Sequence, residues 1–172
     1  MSHTEPNASL STSTAHAGKY LTFGLGKEGY GLQILKVREI IGYMDITAVP
    51  RTPGYVRGVI NLRGQVISIV DLRAKFAMPA VERTEETCII VVEITQPASG
   101  RTLSTGIVVD RVAEVLNIAA DAIEPAPSFG GSVDRQFILG MGKVGQTVKI
   151  LLDIDKVLGD DEVEALAQLA AA

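Results

Sequence analysis

The length and chemistry of the apolar runs restrict the fold of this chain more than anything else in it. Val37 to Ile41, Val59 to Leu62, Val66 to Leu72, Cys88 to Ile94, Thr105 to Val109, Val112 to Leu116, Phe137 to Met141 and Val148 to Ile154 are short and mostly β-branched, with polar or glycine-bearing stretches between them. Branching at Cβ favours extended backbone, and runs this short suit strands better than core helices. Near the front, Leu21, Phe23 and Leu25 share one face of a strand. Gly26-Lys27-Glu28-Gly29 then turns the chain, and Leu32 and Ile34 return it. Many short strands with regular turns predict a barrel or sandwich rather than an α/β sheet. At 172 residues and 47% hydrophobic, the chain is one domain by length and has the material for a core.

Helices are few. Leu72 to Phe76 and Ala119 to Ile123 read as single turns, the first capped by the Asp71 side chain. From about residue 160 a longer helix is expected, because Asp161 and Glu164 have capping-box spacing and Val163, Leu166, Ala167 and Ala170 share a face. Residues 1–18 are rich in Ser, Thr and Ala without apolar periodicity and read as a mobile tail, leaving 19–172 as the folded domain. An internal echo divides the strands. Gly64-Gln65 leads through a strand to Asp71-Leu72, and Gly145-Gln146 leads through another to Asp153-Ile154. Two halves, each closing a small barrel, would produce this, with the C-terminal strands returning to complete the first half.

The chemistry the chain carries is sparse. A net charge of −4 argues against nucleic-acid binding, which needs a basic face. No apolar run approaches the ~20 residues that span a bilayer, and the N-terminus lacks the pattern of a signal peptide, so a soluble cytoplasmic protein is expected. Both histidines, His3 and His16, fall in the expected tail, and the one cysteine, Cys88, allows neither an internal disulfide nor a cysteine metal site. An enzyme would have to work with carboxylates, lysine or tyrosine alone. Gly24-Leu25-Gly26-Lys27-Glu28-Gly29 matches a dinucleotide fingerprint, but strand rather than helix follows it, which makes it a hairpin turn. Cys88 reads as packing. A period of two places Val37, Glu39 and Ile41 on one face, so Glu39 is either a solvated charge or part of a partly apolar contact surface. Arg63, beside Gly64 in a tight turn, is either an ordinary loop arginine or a displayed contact.

Gly58-Val59-Ile60-Asn61-Leu62-Arg63-Gly64, followed by Ile69-Val70-Asp71-Leu72-Arg73, closely resembles the CheW family of bacterial chemotaxis adaptors. The likeness extends through Tyr30-Gly31-Leu32, Ile34 to Ile40, Gly106 to Asp110 and Ile123 to Pro127. It implies a mainly β fold of two intertwined five-stranded SH3-like barrels around a shared core, no catalysis and no cofactor or metal. It also implies two partners, the regulatory domain of the histidine kinase CheA and the cytoplasmic tip of transmembrane chemoreceptors, met in membrane-associated arrays. Carried over by matching motif, the receptor contact would use Val37, Glu39, Gly58, Arg63, Gly64, Cys88, Ile90, Gly106 and Val115. The kinase would pack on the outer ends of the barrels. The related CheV adaptors, the equivalent adaptor of a pilus-motility or other chemosensory pathway, and a small-ligand carrier or enzyme are the alternatives. Two features depart from the family pattern: a longer polar turn from Thr95 to Arg101, and cysteine at position 88 where a β-branched residue is usual.

Overall fold

A computed structural model describes residues 16–96, 100–127 and 135–159. The strands follow in order as β1 (Gly18–Leu25), β2 (Glu28–Gln33), β3 (Val37–Gly42), β4 (Val56–Leu62), β5 (Gln65–Asp71), β6 (Cys88–Thr95), β7 (Thr102–Val109), β8 (Arg111–Ile118), β9 (Ile123–Glu124), β10 (Ile138–Val144) and β11 (Thr147–Leu152). Helix α1 (Leu72–Lys75) follows β5, and α2 (Ile154–Val157) follows β11. Every apolar run read from the sequence contributes a strand, and the dinucleotide-like glycines form the β1–β2 hairpin, with Gly26 at φ +61°. Asp71 caps α1 by accepting from the Arg73 and Ala74 amides, and Asp153 caps α2 by accepting from Lys156. The helix expected from about residue 160 lies outside the described residues, as does the tail up to residue 15. The last residues assigned to that tail are structured: β1 starts at Gly18, and the Tyr20 hydroxyl donates to the His16 carbonyl.

The strands form two sheets, ordered β8-β1-β2-β11-β10-β9 and β3-β6-β7-β5-β4. Apart from β9, the two sheets match strand for strand. An edge strand is antiparallel to a hairpin, the hairpin's second strand runs parallel to the next, and a second hairpin closes the set. The echo in the sequence is therefore a structural repeat, β1–β5 against β6–β8 with β10–β11. Each repeat places its first hairpin in one sheet and its last three strands in the other, and this exchange intertwines the barrels. The sixth strand of the first sheet, absent from the five-stranded expectation, is the two-residue β9. In the second sheet its counterpart is a single bridge between Thr47 and Val59.

Alternation of side chains across each sheet sorts the apolar residues into three clusters. Tyr20, Ile118, Ile123 and Leu151 fill the first barrel, and Ile60, Ile67, Ile69, Ile89 and Val91 fill the second. The largest cluster lies between the sheets and draws on both, from Leu21, Phe23 and Leu32 to Ile90, Val92 and Ile107. One expectation about faces fails. Val37 pairs with Val92 but Glu39 pairs with Val91, so β3 carries an extra residue there. A β-bulge breaks the period of two and puts Val37 and Glu39 on opposite faces. Val37 packs on the core between the sheets, and Ile41, on the face of Glu39, packs into the second barrel.

Candidate functional site between the barrels

The nine residues carried over by motif separate into two groups. Val37, Cys88, Ile90 and Val115 lie on the surface of their sheets that faces the other sheet. Ile90 is fully buried and forms floor rather than surface. Cys88 is half-buried beside β8, where the Val112 backbone hydrogen-bonds its sulfur. Burial is the larger influence and pushes the thiol up from its ordinary value. Val115 pairs with Leu21 and so points the same way as that core residue, yet it is 49% exposed. On the second sheet Ile40, paired with the buried Ile90, is 45% exposed. Strands β3 and β8 are the edges of their sheets, and their apolar side chains reach past the closed core. Ile40 and Val115 are thus exposed apolar side chains on the inner faces of these two edge strands, with Cys88 half-buried beside β8. Ile40 could not be read from the sequence, because the bulge that turns it to the inner face leaves no mark in the period-two pattern.

The second group belongs to the other face of the second sheet. Arg63 and Gly64 form the β4–β5 turn at φ +51° and +87°, the two positive values of a tight type I′ connection. The Asn61 side chain accepts from the Gly64 amide at 2.8 Å. Fixed in this way, the Arg63 guanidinium donates to the Glu39 carboxylate, and that hydrogen bond holds its proton more tightly than in free arginine. Gly58 and Gly106 are buried and have structural work. A Cβ at Gly58 would lie 2.0 Å from the Thr47 carbonyl oxygen, and one at Gly106 would lie 2.6 Å from Ile69 Cδ1. Their absent side chains let the barrel close.

Two ion pairs that sequence reading missed bind the barrels to each other. Arg73 of α1 holds Asp110, between β7 and β8, through Nε at 2.9 Å and a terminal nitrogen at 2.9 Å, and Asp110 also accepts from the Gly26 amide at 2.7 Å. Burial raises the Asp110 carboxyl, but the bonds from Arg73 and Gly26 and the charge of Arg111 outweigh it, leaving the group below the usual carboxylate range. Lys36, just before β3, pairs at 2.7 Å with Asp155 of α2, which also accepts from the Thr95 amide at 2.9 Å.

Among the described residues no three His, Cys, Asp or Glu side chains group to hold a metal ion, and no helix is long and apolar enough to cross a membrane. Two barrels of like topology sharing a core, with an exposed apolar side chain at an edge of each sheet, define the fold class. The chain belongs to the CheW-like domain family, whose model matches residues 19–162. It is 40% identical over 168 residues to the chemotaxis protein CheW of Klebsiella aerogenes, covering 95% of this chain and 98% of that one. It is 34% identical to the chemotaxis protein CheW of Rhizobium meliloti, over 87% and 98% of the two chains. The crystal structure of the scaffolding protein TtCheW from Thermoanaerobacter tengcongensis superimposes with a TM-score of 0.74 at 32% identity, over 85% of this chain and 95% of that one.

Proposed function

We propose that this protein is an adaptor that couples the histidine kinase CheA to transmembrane chemoreceptors, and that it acts within membrane-associated arrays without catalysing a reaction. The receptor's helical tip lies in the groove between the barrels. The observation that carries this reading is the exposure of two apolar side chains, Ile40 and Val115, on the inner faces of the edge strands of the two sheets, in a chain whose relatives are chemotaxis proteins. An amphipathic helix laid in such a groove buries its apolar face at small entropic cost to a preformed site. Arg63 and Glu39, on the face turned away from the groove floor, border the contact at the β4–β5 end. The regulatory domain of the kinase packs on the outer barrel ends. Supporting this, Val66 and Val148 occupy corresponding places at the starts of β5 and β11 and are 41% and 48% exposed.

A binding assay with the cytoplasmic hairpin of a receptor and, separately, with the kinase's regulatory domain tests the assignment. In Val115→Asp the carboxylate would be desolvated against the docked helix without a partner, which costs ~2–5 kcal/mol of binding. Receptor affinity should fall by at least tenfold while kinase affinity holds. Unchanged receptor affinity in a folded variant would place the contact elsewhere.

A further inference from the structure

The two ion pairs that bind the barrels occupy corresponding places in the two repeats with their charges reversed. Arg73 and Asp155 each stand two residues after the aspartate that caps α1 or α2. Asp110 and Lys36 each stand immediately before an edge strand, β8 or β3. The first repeat therefore carries a cation at both positions, Lys36 and Arg73, and the second carries an anion at both, Asp110 and Asp155. Each pair joins one repeat to the other, Arg73 to Asp110 and Asp155 to Lys36. All four side chains are at most about a quarter exposed, so solvent screens them less than it would a surface pair.

We propose that this polarity is a pairing code, which makes each half of the chain accept only the unlike half and so prevents two copies from exchanging like halves. Because the repeats share one topology, the first repeat of one chain has a backbone that fits the first repeat of another, and likewise for the second. Such a dimer would set Arg73 against the other copy's Lys36 and Asp110 against the other copy's Asp155, like charges at every junction. Exchange of equivalent elements is the low-cost route to dimers that a repeated, intertwined fold must block, and unfavourable charge in the wrong partner is one means of blocking it. On the reading of the groove given above, the code also keeps its walls unlike. A like-half dimer would build one groove from two copies of β3 and another from two copies of β8.

Four full-length chains, refolded by dilution over a range of concentrations and sized by light scattering, test the proposal without reference to any partner. Arg73→Asp with Asp110→Arg keeps the native pair complementary but also makes like-half pairing complementary. Lys36→Asp with Asp155→Lys does the same from the other side. All four substitutions together restore like-charge repulsion to the like-half dimer. Wild type and the four-substitution chain should refold as monomers, and each two-substitution chain should give a dimer fraction several-fold higher that grows with concentration. Stability should behave differently, falling step by step with each lost acceptor for the Gly26 or Thr95 amide. Monomeric two-substitution chains, or a four-substitution chain more dimeric than either, would overturn the code. If a reversal prevents folding, Arg73→Gln with Asp110→Asn removes the repulsion without reversing it, and its dimer fraction must exceed that of wild type for the proposal to stand.

Discussion

Replacing Gly58 by alanine separates a structural glycine from a contact residue. Gly58 lies at the bulge where β4 slips against β5, at φ +141°, a conformation that L side chains rarely adopt. A Cβ there meets the Thr47 carbonyl oxygen at 2.0 Å and its carbon at 2.7 Å, both backbone atoms that no rotamer change can move away. Thr47 must retreat by about 1.4 Å to reach ordinary contact, and it is held by two hydrogen bonds to Val59, each 2.9 Å. Losing both costs about 2 kcal/mol, and the unfavourable φ adds about 1 kcal/mol. Gly58→Ala should therefore lose about 3 kcal/mol in urea unfolding with an unchanged m-value, a loss that most domains survive. Gly54→Ala is the control, since nothing lies within 4 Å of that Cβ and its φ is ordinary, and it should stay within about 0.5 kcal/mol of wild type. Receptor affinity, corrected for the folded fraction, should not change in either variant. If Gly58→Ala unfolds like wild type, the steric reasoning is wrong. A wild-type-like unfolding curve with receptor binding lost would return Gly58 to the contact surface.

Three further outcomes are expected. Arg63→Ala should melt near wild type and lose receptor coupling, and Arg63→Lys should recover part of that coupling, because an ammonium cannot reproduce the planar fork; full recovery in a binding assay would show that charge alone matters. Asp110 is held below its unfolded value of about 3.9, so the stability it contributes is present above that pH and is lost as pH falls through the lower folded value; Asp110→Asn should flatten the acid limb of stability measured by denaturant unfolding from pH 6 to 2, and an identical limb would refute the assignment. Burial raises the Cys88 thiol, so its alkylation at neutral pH should be slower than that of a free thiol, should accelerate only at alkaline pH, and should slow again when a receptor fragment fills the groove.

The fold was legible because strand chemistry is local. Valine and isoleucine at short intervals, glycine at the turns and aspartate at two strand ends specify elements without reference to distant residues, and the paired glycine-to-aspartate segments pointed to the repeat. The site was less legible, and for a definite reason. Which face a residue takes depends on counting by twos from a known start, and one extra residue in β3 inverts the count. Val37 and Glu39 therefore part company, and Ile40 rather than Ile90 is the residue left exposed on the inner face. The roles of Gly58 and Gly106 depend on what approaches them in space, Thr47 in one case and Ile69 in the other, and no spacing in the sequence announces that. Ion pairs between Arg73 and Asp110, or Lys36 and Asp155, connect positions too far apart for any local pattern to reveal.

The exchange of hairpins also sets a timetable for the nascent chain. Strands β3 to β7 are contiguous, Val37 to Val109, so the second barrel has all its strands once that stretch has left the ribosome. The β1–β2 hairpin is made earlier but acquires its neighbours last, β8 on one side and finally β11 on the other. For the several seconds needed to synthesise that interval, Leu21, Phe23, Tyr30 and Leu32 belong to a hairpin whose sheet is unfinished, although the core they pack into lies between the two sheets. Premature termination anywhere before Leu152 thus strands the first-made hairpin rather than simply trimming an end. Translation pauses or chaperone contacts should matter most in that window, between completion of one barrel and arrival of the strand that closes the other.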